Sequence, residues 1–512
     1  MQTIDLIIIF GYLIGITIFG ILFSGKQETT EDYFVGDRSV PWWAISMSIV
    51  ATETSTITFV SVPGVAFAKG GNFEFLQLVF GYMLGRIVIS ILFIPLYFKG
   101  DLQTVYQLLG DRFGQRVKML ASGLFVIMRN IADGIRLLLT AIVLAAVYSA
   151  FDPSVDPVTV TIGSIILLGI VMIVFTFYGG MEAVIWIEVV QLVIYIGGAI
   201  AAAVVLLNNI DGGVAAVTSL GEEYNKFKLF DFSFDLAKTY TFWGGLIGGC
   251  FLTMSTHGTD QYLVQRYLCT NKPASASTAL LTSGAVVLGQ FIGFLFIGVL
   301  LFAFYAPYKL PEYAQAGVAG SGIPATFPFA KGDQVFPDFI TKHMPPGLSG
   351  LVVAAIFAAA LSSSLNSIAA TAINDLYKPF ARNVTDRHLL KLSGWLTVIV
   401  GVIQVAIAIA FISSGESALG LALSVASLIN GPILGVFLVG TFLKRARERH
   451  ALAGMIVSSL LMLYILLAAN KILAGPVIAW PWYALIGSLV TLSVAALASI
   501  ISPVKIDNES TN

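Results

Sequence analysis

The chain has 512 residues, 57% of them hydrophobic and 11% charged, with a formal net charge of −1. Soluble domains carry about 25% charged residues, so a soluble multidomain enzyme is excluded as the first reading, and a net charge near zero excludes nucleic-acid binding through bulk basicity. Two cysteines, Cys250 and Cys269, and four scattered histidines supply neither a disulfide framework nor a metal cluster.

Thirteen apolar stretches follow one another along the chain, at about 3–23, 42–68, 73–98, 118–150, 157–177, 182–207, 240–263, 277–305, 348–373, 390–413, 417–441, 451–470 and 478–501. Each is long enough for a bilayer-crossing helix of roughly 20 residues. They are continuously apolar rather than alternating, which predicts helices and not barrel strands. The first stretch lacks a positive leader and a small-residue cleavage site, so it reads as a retained span. With the N-terminus outside, seventeen Lys and Arg fall in inner connections and eight in outer ones. That bias follows the positive-inside rule, and the odd span count puts the C-terminus in the cytoplasm. The expectation is an all-α polytopic protein of about 13 transmembrane helices in the plasma (inner) membrane, with residues 1–512 forming one membrane transport domain. Two outer connections are long, about 208–239 and 306–347; the seven prolines of the second suggest an ordered cap or gate.

Polar groups are expensive inside a bilayer and are functional candidates there. The second span runs Ser48-Ile49-Val50-Ala51-Thr52-Glu53-Thr54-Ser55-Thr56-Ile57-Thr58 and then reaches Pro63-Gly64. So many hydroxyls compete with the helical ladder, and a broken helix would present carbonyls and hydroxyls to a cation. Arg86 stands in the third span. In the fourth, Arg129, Asp133 and Arg136 share a face; an Arg129–Asp133 pair would leave Arg136 for a substrate carboxylate, which guanidinium grips bidentately. The sixth span carries Glu188 about two turns in, either as a ligand or as a carboxylate snorkelling to the inner interface. The seventh ends Ser255-Thr256-His257-Gly258-Thr259-Asp260, a second irregularity in the making. In the ninth, Ala359, Ser362 and Ser363 share a face, where serines offer uncharged oxygen ligands. The phosphate-binding pattern of nucleotide-driven pumps is absent. Breaks at corresponding places in two halves point to inverted repeats, here about 42–207 and 240–441, with 3–23 as an extra N-terminal span, 451–501 as two C-terminal spans and 502–512 as a cytoplasmic tail.

Several motifs in order carry a resemblance: Glu31-Asp32-Tyr33-Phe34 with Pro41-Trp42-Trp43; Ala51 to Thr58; Tyr178-Gly179-Gly180 with Trp186-Ile187-Glu188-Val189-Val190-Gln191; Asp260-Gln261-Tyr262 with Gln265-Arg266; and Ala359 to Ser367 with Asp375-Leu376-Tyr377. At these residues the chain resembles the sodium/solute symporter family. The resemblance implies a LeuT-like core of five plus five inverted helices and secondary symport of a small polar solute by alternating access. It implies co-transported sodium, no organic cofactor and no enzyme activity, with solute, sodium and the lipid bilayer as partners and no nucleic acid. It implies a sodium site of Ala51 and Thr54 carbonyls with Ala359, Ser362 and Ser363, a second ion at Glu188 and Ser364, and solute contacts at Glu53, Ser55, Thr58, Phe75 and Tyr82. Arg86 and Arg136 add two carboxylate-binding candidates. Two departures stand out: Glu188 replaces the family's Asp, and the ninth-span motif is about three residues short between its serine pair and Asn366. The front alignment, which keeps Ala-x-x-Ser-Ser intact, is preferred. Proton coupling through Glu53 or Glu188, or a passive channel or sensor, are the rival readings.

Overall fold

The computed structural model describes residues 2–502 except 24–28, 37, 101, 152–153, 179, 306–309, 317, 319, 362–363, 382–383, 413–417 and 470; side chains at 20, 21, 23, 30, 57, 150, 151, 175, 178, 358–361 and 418–427 also lie outside the description. The described residues form an all-helical polytopic fold, with regular elements from Thr3–Phe23 to Tyr483–Ile501. "Outer" and "inner" below follow the orientation expected from the charge bias.

Among the described residues seven helices are long and apolar enough to cross a membrane, or eight if Trp42–Glu53 and Thr58–Phe67, bent by 56°, count as one span. Shorter apolar helices, Thr3–Phe19, Leu76–Leu92, Leu348–Phe357 and Leu428–Phe442, lie in the stretches read as the first, third, ninth and eleventh spans. Length alone therefore fixes fewer crossings than the thirteen expected, because several spans are interrupted. The seventh opens as a π-helical turn, Gly244–Gly248, and continues as Gly249–Gly258. The ninth is described over Leu348–Leu361 and Leu365–Thr371 and ends in a π-helical turn, Ala372–Tyr377.

The apolar core falls into two main masses. One gathers Phe59, Val60 and Phe67 of the second span's outer half with Phe294, Phe302 and Phe336. The other gathers Ile45 and Ile49 of its inner half with Phe93, Tyr97 and Phe125. The second span passes from one mass to the other between Ile49 and Val50, about a turn before its break.

The proline-rich outer connection is ordered where described, as the sequence suggested. Helix Val335–Lys342 buries Phe336, Phe339 and Ile340, and Phe336 stacks on Phe59 with centroids 5.2 Å apart. Gly64 permits this approach: a Cβ there would lie 2.5 Å from the Gly332 carbonyl oxygen. Asp5, the acidic residue of the first span, is fully buried. Its Oδ1 accepts from the N–H groups of Gly347 and Gly350, at 2.7 and 2.9 Å, where the ninth span begins. A carboxylate at a helix N-terminus meets unpaired donors and the positive end of the dipole.

Candidate functional site

The second span stops at Glu53, and Thr54 and Ser55 leave helical geometry before Thr56 restarts it. Hydroxyls hold the break open. Thr54 Oγ1 lies 2.6 Å from Val50 O and 2.7 Å from Gln290 Oε1, two acceptors for its one proton, and Thr58 Oγ1 donates to Glu53 O at 2.9 Å. A helix end leaves carbonyls without intrahelical partners; here that end comprises Ala51 to Thr54, with Ala51 and Thr54 both buried. The break abuts the ninth span, since Thr56 Oγ1 donates to Ile356 O at 3.1 Å. The expected second break is also present: the seventh span ends at Gly258, and Asp260 caps helix Gln261–Leu268 by accepting from Tyr262 N at 2.9 Å.

A cavity of about 180 Å3 lies between the two breaks. Glu53, Ser55, Thr58, Phe75, Tyr82 and Arg136, all nominated from sequence, line it. Phe75 stacks on Phe291 at 5.1 Å and packs against Tyr240 at 5.3 Å, forming an aromatic wall. Arg86 is not in the lining. It lies behind Glu53 and donates to Glu53 Oε2, with its side chain 1% exposed against 14% for Glu53. His257 completes this group, with Nε2 3.3 Å from Glu53 Oε1 and Nδ1 2.9 Å from Thr256 Oγ1. Arg86, a carboxylate-binding candidate from the sequence, thus faces Glu53 here rather than the cavity.

The fourth-span pairing also differs from expectation. Arg136, not Arg129, is the arginine near Asp133, at 3.6 Å. Arg129 lies 3.9 Å from Asp260 and 4.2 Å over the Tyr262 ring. The aromatic face and the Asp260 carboxylate are tertiary partners that outcompete the local i,i+4 contact. Both arginines line the cavity, beside Tyr262.

Glu188 does not snorkel. It and Arg266 are both fully buried, with Arg266 Nη2 2.5 Å from Oε1 and Nε 3.2 Å from Oε2. Ser48 and Thr52 donate to the same carboxylate. Ser364, the other half of the expected second ion site, donates instead to Asp133 Oδ2. The structure thus gives Glu188 and Ser364 different partners. Ser362 and Ser363 lie outside the described residues, as does the Ala359 side chain.

Sequence reasoning missed Phe291 and Asn430 in the lining; an aromatic or amide within an apolar run carries no distinguishing period. His257, Asp260 and Tyr262 had been noticed only as a helix irregularity and a motif.

The model of the sodium:solute symporter family matches residues 33–458. The chain belongs to that family. It is 32% identical to the sodium/sialic acid symporter NanT of Aliivibrio fischeri, over 97% of this chain and 93% of the relative. It is 28% identical to the human sodium/iodide cotransporter, over 89% of this chain and 68% of that one. A solved structure of a sodium-coupled sialic acid symporter, substrate-bound and outward-open, superposes with a TM-score of 0.82 at 29% identity, covering 98% of this chain and 99% of that one. The nucleobase-cation-symport-1 transporter Mhp1 matches with a TM-score of 0.56 at 13% identity, over 93% of this chain and 97% of that one, and supports the fold alone. The chain is a sodium-coupled symporter of a small solute, a multi-pass membrane transporter working by alternating access, and not an enzyme. Proton drive through Glu53 or Glu188, the rival reading, gives way to sodium, and both carboxylates already face arginines.

Proposed function

We propose that the symporter carries a small organic anion, a hydroxylated carboxylate of the sialic acid class, in the cavity between the two helix breaks. The observation that carries this reading is the pair Arg129 and Arg136 beside Tyr262 in the cavity wall. Guanidinium matches a carboxylate geometrically and is weakly hydrated, so it recognises anions at low desolvation cost. Glu53, Ser55 and Thr58, also in the lining, offer acceptors and donors to hydroxyl groups. The named relatives transport sialic acid and iodide, both anions.

Sodium is assigned to the break itself: the carbonyls of Ala51 and Thr54 with Ala359, Ser362 and Ser363. The Thr56–Ile356 hydrogen bond supports this assignment, because it holds the break within one turn of Ala359. Sodium there would order the broken helix and raise solute affinity, and the solute must raise sodium affinity by the same factor. A second ion at Glu188 and Ser364 is the weaker assignment, given their separate partners. The reading includes repeats at 42–207 and 240–441, an outer N-terminus and a cytoplasmic C-terminus.

Sodium-driven uptake into proteoliposomes tests it, with sialic acid, lactate and glucose compared in sodium and in potassium. Saturable, sodium-dependent uptake of sialic acid, lost in Arg136→Gln, is expected. Uptake of glucose alone, or acid uptake indifferent to Arg136→Gln, would refute the anion reading.

A further inference from the structure

A second, smaller cavity of about 130 Å3 lies away from the solute site, lined by Lys69, Gly70, Tyr224, Lys226, Tyr313 and Ala314. Three segments meet there. Lys69 and Gly70 follow the outer half of the broken second span; Tyr224 and Lys226 belong to the 208–239 connection; Tyr313 and Ala314 belong to helix Pro311–Gln315 of the 306–347 connection. The lining holds two ammonium groups and no carboxylate.

Lys226 is 1% exposed. Its Nζ donates to the carbonyls of Ala66, Phe67 and Ala68 at 2.9, 3.0 and 2.7 Å, capping helix Thr56–Phe67, and sits 4.2 Å from the Phe302 ring centre. Its neighbours in the outer loops are paired, Lys228 with Glu74 and Lys238 with Asp231. Among the described residues Lys226 has carbonyls and a ring but no ion-pair partner. Burial pushes its pKa down to about 7, the mark of a charge lacking its counter-ion. Lys69 Nζ spends one donor on Ala314 O, at 2.6 Å, of the three an ammonium carries. Tyr313 is 3% exposed, and its hydroxyl has no hydrogen-bond partner in the structure.

We propose that this cavity is a binding site for a small inorganic monovalent anion, held by Lys69 Nζ and the Tyr313 hydroxyl in the field of Lys226. The ligand class follows from the groups present. Two ammonium groups and a tyrosine with an unpartnered hydroxyl line the cavity, and the carbonyl that meets Lys69, Ala314 O, is engaged. A cavity of this size has room for a halide with a few waters. A bound anion would join the end of the second span to both outer connections, fastening the outer side of the transporter independently of the sodium seat.

The test is thermal unfolding of the purified full-length protein in sodium chloride against sodium methanesulfonate, at equal sodium and equal ionic strength. A ligand of the folded state raises the melting temperature saturably, and chloride is expected to do so. Lys69→Met and Tyr313→Phe are each expected to raise the half-saturating chloride concentration roughly tenfold, the loss of one charge-assisted hydrogen bond. Lys69→Arg keeps charge and donors and should retain most of the effect. Because Lys69 is exposed, its variants report on the site rather than on folding. Equal melting in the two salts, or a chloride effect unchanged by Lys69→Met and Tyr313→Phe, would overturn the proposal. A rise with sodium acetate but none with chloride would overturn it too, by making the site a carboxylate reader.

Discussion

Of the carboxylate–arginine pairs inside the membrane-spanning region, Glu188–Arg266 and Glu53–Arg86 do different things. Glu188–Arg266 is sealed: both side chains are fully buried, and Ser48 and Thr52 occupy the same carboxylate. Glu53–Arg86 stands at the edge of a cavity, with His257 alongside and Glu53 still 14% exposed. Identical chemistry therefore divides by access. The fully buried pair ties the second and sixth spans to helix Gln261–Leu268, whereas Glu53 borders a cavity in which a solute can meet it.

The sharpest way to break this contrast is to unpair the sealed centre. Arg266→Ala leaves a buried carboxylate without compensation, and such losses cost about 3–5 kcal/mol. A collapse of the melting temperature and of membrane yield is expected, while Arg266→Ala combined with Glu188→Ala recovers part of it. The cavity-edge pair should respond in the opposite proportion. Glu53→Gln keeps a hydrogen-bonding group facing Arg86 and the cavity, so melting falls less than in Arg266→Ala. Uptake falls by roughly 10- to 100-fold, the scale of a lost charged hydrogen bond of about 1.5–3 kcal/mol.

These centres were unequally legible in the sequence. The run from Ser48 to Thr58 announced itself, because hydroxyls and a carboxylate are dense where each one is costly. The break followed from the same residues and lies where that run predicted it, at Thr54 and Ser55. What the sequence could not provide was partners. Arg86 and Arg266 meet their carboxylates across different spans, and helical spacing says nothing about such pairs. Spacing misled outright at Arg129, where Tyr262 and Asp260 outcompete Asp133. Spans were legible as apolar runs, yet an irregularity such as the π-helical turn Gly244–Gly248 depends on packing against neighbours.

Two smaller effects sharpen the comparison. Thr54→Val removes the hydrogen bond to Gln290 at the break, worth about 1 kcal/mol. A roughly fivefold rise in half-saturating sodium for uptake, with little change in melting, is expected. At the far end stands Lys238–Asp231, a pair in the outer connection, with Lys238 46% and Asp231 13% exposed. Exposed pairs contribute less than about 1 kcal/mol and are screened by salt. Lys238→Ala should leave uptake intact. The hydrogen bond from Lys238 holds the Asp231 carboxyl well below its ordinary range. A carboxylate with a depressed folded-state pKa contributes stability at neutral pH that is lost as pH falls. The small difference between wild type and Lys238→Ala should therefore fade on acidification.

The central claim is that sodium binds where the broken second span meets the ninth. Thermal unfolding of the purified protein, in sodium against potassium at equal ionic strength, measures it most directly. A ligand that binds only the folded state stabilises by RT ln(1 + [L]/Kd). The account predicts a sodium-specific rise in melting temperature for the wild type that disappears in Ser362→Ala/Ser363→Ala. No sodium-specific rise, or one that survives in the double variant, would contradict it.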